Sequence, residues 1–382
     1  MGFLENIWGF IPGFQSLIAA FLLVCMCTTN GKILVRNHAA SGFRWLAGVI
    51  PYSIRVPLIQ CFLSLDIPYV RAFMIFIGTP QGEQVKWVTP IKKDTWEGRW
   101  IFPSAKQMSK TGSVETSAFD ADLIILYMHG GGFYFGTSVG YIKTFIEFIN
   151  QFKANRGINA RILSVEYSLS PEVQWPKQKE ECLAAYIYLV HDLGISPSKI
   201  IIIGDSAGGN LVLQTTWSLC NQRTIPALAA LPPIPMPAGV VPMSPWVDVE
   251  LDEPALEAAK YTDILSKKIF YLAATSYLPQ LKKMTPSEYS AYIKNPEISP
   301  IYGDYYGSCP MLLVYADKEM LAGSIIKFSE KMRSQGVPLT PLIRPSVAHI
   351  HIMESLCAPS EDIWREDIGV VVDWCSTVLK RK

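Results

Sequence analysis

Short, largely apolar runs recur along the second two thirds of the chain, at residues 123–128, 162–166, 200–203, 240–243, 311–315 and 339–343. They lack the apolar–polar alternation of a half-exposed strand, and each is bounded by turn residues. Runs of this kind predict strands buried on both faces, as in a parallel sheet. Helical patterns lie between them. One covers 181–193, with Pro176 near its start and Gly194 after its end. Another, amphipathic, closes the chain at 367–379. Strands alternating with helices predict an α/β fold: a mostly parallel twisted sheet with helices on both faces.

Three stretches depart from the alternation. Residues 34–80 are apolar, and Ile54, Leu58, Ile59, Phe62 and Leu63 recur at three- and four-residue spacing, which predicts amphipathic helices. They serve either as core packing or as a cap over a pocket. Residues 84–100 carry a hairpin pattern, and the polar residues 106–119 read as a loop. Residues 249–299 form a largely helical insertion between two strands, and a cap is its natural role. The expected organisation is a membrane anchor over 1–31, a helical or cap region over 32–105, and a catalytic domain over 106–382 with the insertion near 249–299.

The anchor reading rests on residues 7–31, which hold no charged side chain. The length suits a bilayer, although Pro12 and Gly13 weaken its front. A cleaved signal peptide would want a basic start, and the only early charge is Glu5. A buried helix is the third reading. Lys32, Arg36 and Arg44 follow the segment, so the positive-inside rule leaves the bulk of the chain in the cytosol. The expectation is a single-pass protein of the endoplasmic reticulum membrane, with a secreted or soluble protein as the alternative.

Composition narrows the function classes. The 382 residues carry a net charge of +1 and no basic run, which argues against nucleic-acid binding. Only 18% of residues are charged and 12% are aromatic, so an apolar substrate or a membrane surface is favoured. Eight scattered cysteines with no Cys-x-x-Cys argue against zinc or redox chemistry, and no cofactor is implied.

The chemistry concentrates in two glycine motifs. Gly204-Asp205-Ser206-Ala207-Gly208 follows the buried run 200–203 and precedes a helical stretch. Strand, sharp turn and helix are the setting of a nucleophile elbow, in which Ser206 is pushed out at the carboxyl end of the sheet. A bare Gly-x-Ser-x-Gly arises by chance in many chains; one between a buried strand and a helix is far rarer. His129-Gly130-Gly131-Gly132 follows another buried run. Three glycines let the backbone approach a reacting atom. The amides of Gly130 and Gly131, with that of Ala207, are therefore expected to form an oxyanion hole. A phosphate cradle would want Lys and Ser or Thr after the glycines, and these are missing. His129, Gly132 and Asp205 are assigned supporting roles.

A serine nucleophile needs a base and an acid. Of five histidines, His349 and His351 follow the last strand and are the candidate bases. Asp317 and Glu319 follow the run 311–315 and are the candidate acids.

The motifs together resemble the hormone-sensitive lipase branch of the α/β-hydrolases, close to its fungal steryl acetyl hydrolase and arylacetamide deacetylase types. Glu166-Tyr167-Ser168-Leu169-Ser170-Pro171-Glu172 and Ser244-Pro245-Trp246-Val247-Asp248 resemble two further segments of that branch, with Glu166 and Ser168 standing where the branch has Asp and Arg. The similarity covers about 123–352. It implies the α/β-hydrolase fold and a serine esterase without cofactor. It selects His349 as base, because Val347-Ala348-His349 fits the branch's small-residue-then-His pattern. It selects Glu319 as acid, two residues before Leu321, where the branch usually has Asp; Asp317 stays the alternative acid. It also implies a short acyl group, acetyl first. A large apolar alcohol follows from the apolar cap and anchor. An acyltransferase, a lactonase or an amidase could use the same triad. A non-catalytic binder should have lost one of these residues, and all are present.

Overall fold

The computed structural model describes residues 33–380, apart from 113, 251–256, 258, 260 and 261. Among the described residues three helices come first: α1 (Ile33–Val49), α2 (Tyr52–Leu63) and α3 (Ile67–Gly78). The hairpin β1 (Val88–Lys92) and β2 (Glu97–Ile101) follows. Then strands and helices alternate: β3 (Leu123–Met128), α4 (Ile142–Arg156), β4 (Ala160–Val165), α5 (Lys177–Ile187), β5 (Ile200–Asp205), α6 (Ala207–Cys220) and β6 (Gly239–Met243). The insertion contributes α7 (Lys267–Tyr277) and α8 (Pro286–Ile293). The chain ends with β7 (Met311–Ala316), α9 (Ala322–Ser334), β8 (Leu339–Arg344) and α10 (Glu361–Leu379).

One eight-stranded sheet runs in the order β1-β2-β4-β3-β5-β6-β7-β8. β1 and β2 pair antiparallel, β2 joins β4 antiparallel, and every later pairing is parallel. The hairpin expected at 84–100 is thus part of the sheet. The stretch expected as a loop or linker at 106–119 instead holds three short helical turns among its described residues, Ala105–Met108, Ser109–Thr111 and Val114–Phe119. They dock on the sheet: Ala118 is buried, and the Arg161 Nε donates to the Ser117 carbonyl (2.8 Å).

The central strands are buried on both faces, and alternate residues feed two cores. Ile201 and Ile203 pack with Phe148 of α4 and Trp364 of α10. Ile200 and Ile202 pack with Leu211 of α6 and Phe328 of α9. Burying an aliphatic side chain contributes about 1.5–3 kcal/mol. The four isoleucines therefore lock β5 from both sides, which makes its carboxyl end a rigid base for the turn at Ser206.

The N-terminal helices lie over that end. Arg71 of α3 donates to the carbonyls of Tyr134 and Ser170 (2.7 Å each) and pairs with both Glu172 oxygens (2.7 and 2.8 Å). Arg44 of α1 pairs with both oxygens of Glu354 (3.0 and 3.2 Å). No described helix is long and apolar enough to cross a membrane. The expected anchor over 1–31 lies outside the described residues.

Candidate active site

β5 ends at Asp205 and α6 begins at Ala207, so Ser206 makes the turn by itself, at φ 54° and ψ −118°. A positive φ in a non-glycine residue costs on the order of 1–3 kcal/mol and persists only when neighbours enforce it. Here they do. The Ser206 N–H donates to the Met243 carbonyl (2.9 Å), and the Ser206 carbonyl accepts from Asn210 (3.0 Å) and Trp246 (3.1 Å). Gly208 passes so close to β3 that a Cβ would sit 2.0 Å from the Met128 carbonyl oxygen. The Ala207 amide opens the first turn of α6, where N–H groups lack helical partners and the helix dipole is positive.

The glycine loop is fastened by aromatic and acidic partners. The His129 ring stacks on Tyr167 at 4.1 Å, its Nδ1 lies 2.8 Å from the Gly130 carbonyl oxygen, and the Tyr167 hydroxyl donates to the His129 carbonyl (2.7 Å). His129 is thus buried and in contact with the loop it begins. Asp205 is fully buried and accepts from the hydroxyls of Tyr127 and Tyr141 and from the Gly130 N–H (2.9 Å). Burial pushes its carboxyl pKa up, and the tyrosine hydrogen bonds pull it back.

This bond corrects one expectation. The Gly130 amide is held by Asp205 and is not free to meet an oxyanion. Gly131 (φ +114°) and Gly132 (φ +57°) turn the loop so that they, and not Gly130, line the cavity with Ser206. Among the described residues neither of their N–H groups has an acceptor.

The base and acid loops meet behind the serine. His349 and Ser206 line the same cavity. His349 Nδ1 lies 3.6 Å from Glu319 Oε2, an ion-pair distance rather than a hydrogen bond, and among the described residues its Nε2 has no hydrogen-bond partner. Glu319 Oε2 accepts from the Ser244 hydroxyl (2.7 Å) and the Ala316 N–H (3.3 Å). Burial alone would lower the His349 pKa. The Glu319 carboxylate, with Asp263 and Asp205 beyond it, outweighs burial and raises it.

The alternatives fall elsewhere. Asp317 is exposed, and its carboxylate accepts from the Ser346 N–H (2.7 Å). His351 Nε2 lies 3.4 Å from Asp367, which Arg344 also holds (2.9 Å), so it belongs to the packing of α10. His191 is exposed at a helix end.

The sequence reading missed Asp263, a fully buried carboxylate of the insertion. It also missed Ser244, which holds the acid from a strained turn (φ 44°). Neither lies in a chemical pattern of its own, although Ser244 opens the Ser-Pro-Trp segment. Beyond the site the cavity wall is largely apolar, including Phe43, Leu58, Phe62, Phe73, Leu265 and Phe270, with Arg55 and Glu354 as charged members. Among the described residues no group of three or more His, Cys, Asp or Glu is placed to hold a metal ion.

Comparison with known proteins agrees with this fold. The family profile described as alpha/beta hydrolase fold matches residues 125–353. Lipase 2 of Moraxella sp. is 30% identical over 258 residues, covering 60% of this chain and 54% of that protein. An acetyl-hydrolase of Streptomyces hygroscopicus is 26% identical over 288 residues, covering 74% and 80%. Human arylacetamide deacetylase-like 2 is 36% identical over 106 residues, covering 26% and 25%. The chain thus spans about half of the Moraxella lipase. Among solved structures, an esterase/lipase from an uncultured bacterium superposes with a TM-score of 0.67 at 23% identity, covering 86% of this chain and 99% of that one. A hormone-sensitive lipase from a metagenome library gives 0.64 at 26%, covering 85% and 97%. With both glycine motifs in place on this sheet, the chain belongs to the alpha/beta hydrolase fold family, in its hormone-sensitive lipase branch.

Proposed function

We propose that this chain is a serine carboxylic ester hydrolase that removes a short acyl group, acetyl first, from an apolar alcohol. The observation that carries the reading is the strained Ser206 turn, opening into a cavity shared with His349 and two unpartnered glycine amides. Ser206 Oγ attacks the ester carbonyl and His349 Nε2 takes its proton, while Glu319 steadies the imidazolium at Nδ1. The amides of Gly131, Gly132 and Ala207 hold the developing oxyanion, each such donor contributing roughly 3–4 kcal/mol to the barrier reduction. Collapse expels the alcohol, which receives the proton from His349. Water then attacks the acyl-enzyme, returns its proton through His349 and releases the acid. His349 Nε2 has no hydrogen-bond partner among the described residues, and its bond to Ser206 Oγ forms on substrate binding, as catalytic hydrogen bonds commonly tighten only in the complex.

The names of the Streptomyces acetyl-hydrolase and the human deacetylase-like relative support a short acyl group. The aromatic and aliphatic cavity wall supports an apolar alcohol, with α1–α3 and the insertion acting as the cap over a catalytic domain. Trp45, Leu46 and Val49 of α1 are 70%, 55% and 60% exposed, and Leu46 also lines the cavity. The uncharged stretch 7–31 leads into this helix. Both features support a cap that rests on a lipid surface and receives its substrate from there.

A fluorophosphonate probe tests the chemistry. Labelling mapped by peptide mass to Ser206, and prevented by an acetyl ester substrate, is expected; an unlabelled Ser206 in folded protein overturns the reading.

A further inference from the structure

Asp263 ties the insertion to both loops behind the nucleophile, and no sequence motif marks it. It is fully buried. Its Oδ1 accepts from the N–H of His349 (3.0 Å) and from that of Ile264 (2.7 Å). Its Oδ2 accepts from the N–H of Met320 (2.7 Å), the residue after Glu319. One carboxylate thus holds the backbone of the base and the backbone beside the acid, using both oxygens. The segment is itself held. The Asp263 N–H donates to the Ala259 carbonyl (3.1 Å), and the Asp263 carbonyl accepts from Gln60 Nε2 of α2 (3.0 Å).

We infer that Asp263 is a positioning residue through which the insertion and the N-terminal helices set the spacing of His349 and Glu319. The inference rests on the serine esterase reading. The Asp263 side chain faces amides and lies back from the serine, so it acts through the loops it holds. All three of its donors are N–H groups, which fit an ionised carboxylate and leave a neutral amide with a donor facing a donor. Its charge also reaches the imidazole: burial works to lower the His349 pKa, and Glu319, Asp263 and Asp205 together overcome it. The other titratable groups around this pocket are Tyr52 and Arg55 of α2, Tyr141 just before α4, and Glu354 and Cys357 after His349. Tyr52 accepts from the Ala348 N–H (2.6 Å), so α2 reaches the base loop by a second route.

The test is Asp263→Asn in the full chain, assayed on p-nitrophenyl acetate. A displacement of about 1 Å between base and acid costs on the order of a hundredfold. The expected result is a kcat lowered by roughly 10- to 100-fold with KM changed less than about threefold. Loss of a negative charge near the imidazole also lowers the His349 pKa, so the acid limb of kcat/KM moves to lower pH. A merely structural residue would reduce the folded fraction and leave the limb in place. Should Asp263→Asn fail to fold, Gln60→Met loosens the same segment and is expected to lower kcat in the same direction. An Asp263→Asn enzyme with kcat within twofold of wild type and an unmoved acid limb overturns the inference. Ser206 labelling of wild type is scored in parallel: labelled wild type with an indifferent Asp263→Asn sinks only the positioning role, whereas unlabelled wild type sinks the esterase reading itself.

Discussion

Replacing Gly208 with alanine should cripple the enzyme through backbone collision alone. The added Cβ would lie 2.0 Å from the Met128 carbonyl oxygen and 2.5 Å from that of His129, and distances under 3.0 Å are essentially unknown for real Cβ atoms. Both obstacles are main chain, so no side chain can swing aside. The first turn of α6 must retreat from the end of β3 by about 1 Å. That gap separates Ser206 and the Ala207 amide from the glycine loop, the two halves of the site. A misplacement of this size costs about a hundredfold in rate, and forced overpacking costs roughly 1–3 kcal/mol in stability. The assay is kcat/KM for p-nitrophenyl acetate beside a thermal melt. Gly209→Ala is the control: its Cβ would meet Pro245 at 3.0 Å, so a shift of a few tenths of an ångström relieves it, and a much smaller loss is expected. A Gly208→Ala enzyme within threefold of wild type and unchanged in melting would refute the claim that this turn is fixed by close main-chain approach.

Further expectations separate the members of the site. Glu319→Gln should lower kcat by about 10²–10⁴-fold, whereas Asp317→Asn, exposed and bonded only to the Ser346 amide, should stay within about threefold; the reverse order would reassign the acid. Because His349 is raised above the ordinary imidazole value of about 6.5, the acid limb of kcat/KM should have its midpoint above that pH; a midpoint below about 6 would contradict the placement of Glu319 beside the ring. The linked stability runs the other way. The protonated ring contributes stability below pH about 6.5, and this is lost as pH rises through the raised value, so in chemical denaturation His349→Gln should flatten that part of the stability profile.

Much of this site is legible in the chain itself. The isoleucine run 200–203 could only be a strand buried on both faces, because no polar residue offers it a wet side. The glycines flanking Ser206 then name the turn. The base could be narrowed because only two histidines follow the last strand. What the chain could not show is which amides of the glycine loop face the cavity. That depends on the positive φ of Gly131 and Gly132 and on the Asp205 carboxylate, which lies 75 positions after Gly130 and claims its N–H. Asp263 was illegible for a related reason: its role is three hydrogen bonds to backbone, and backbone contacts leave no mark in residue type. The polar stretch 106–119 became short helical turns because docking against the sheet outweighs local propensity.

The most direct measurement is steady-state hydrolysis of p-nitrophenyl acetate by Ser206→Ala, with folding verified by its melt. The account predicts a kcat reduced by at least about a thousandfold. A folded Ser206→Ala protein that turns over the ester at the wild-type rate would contradict it.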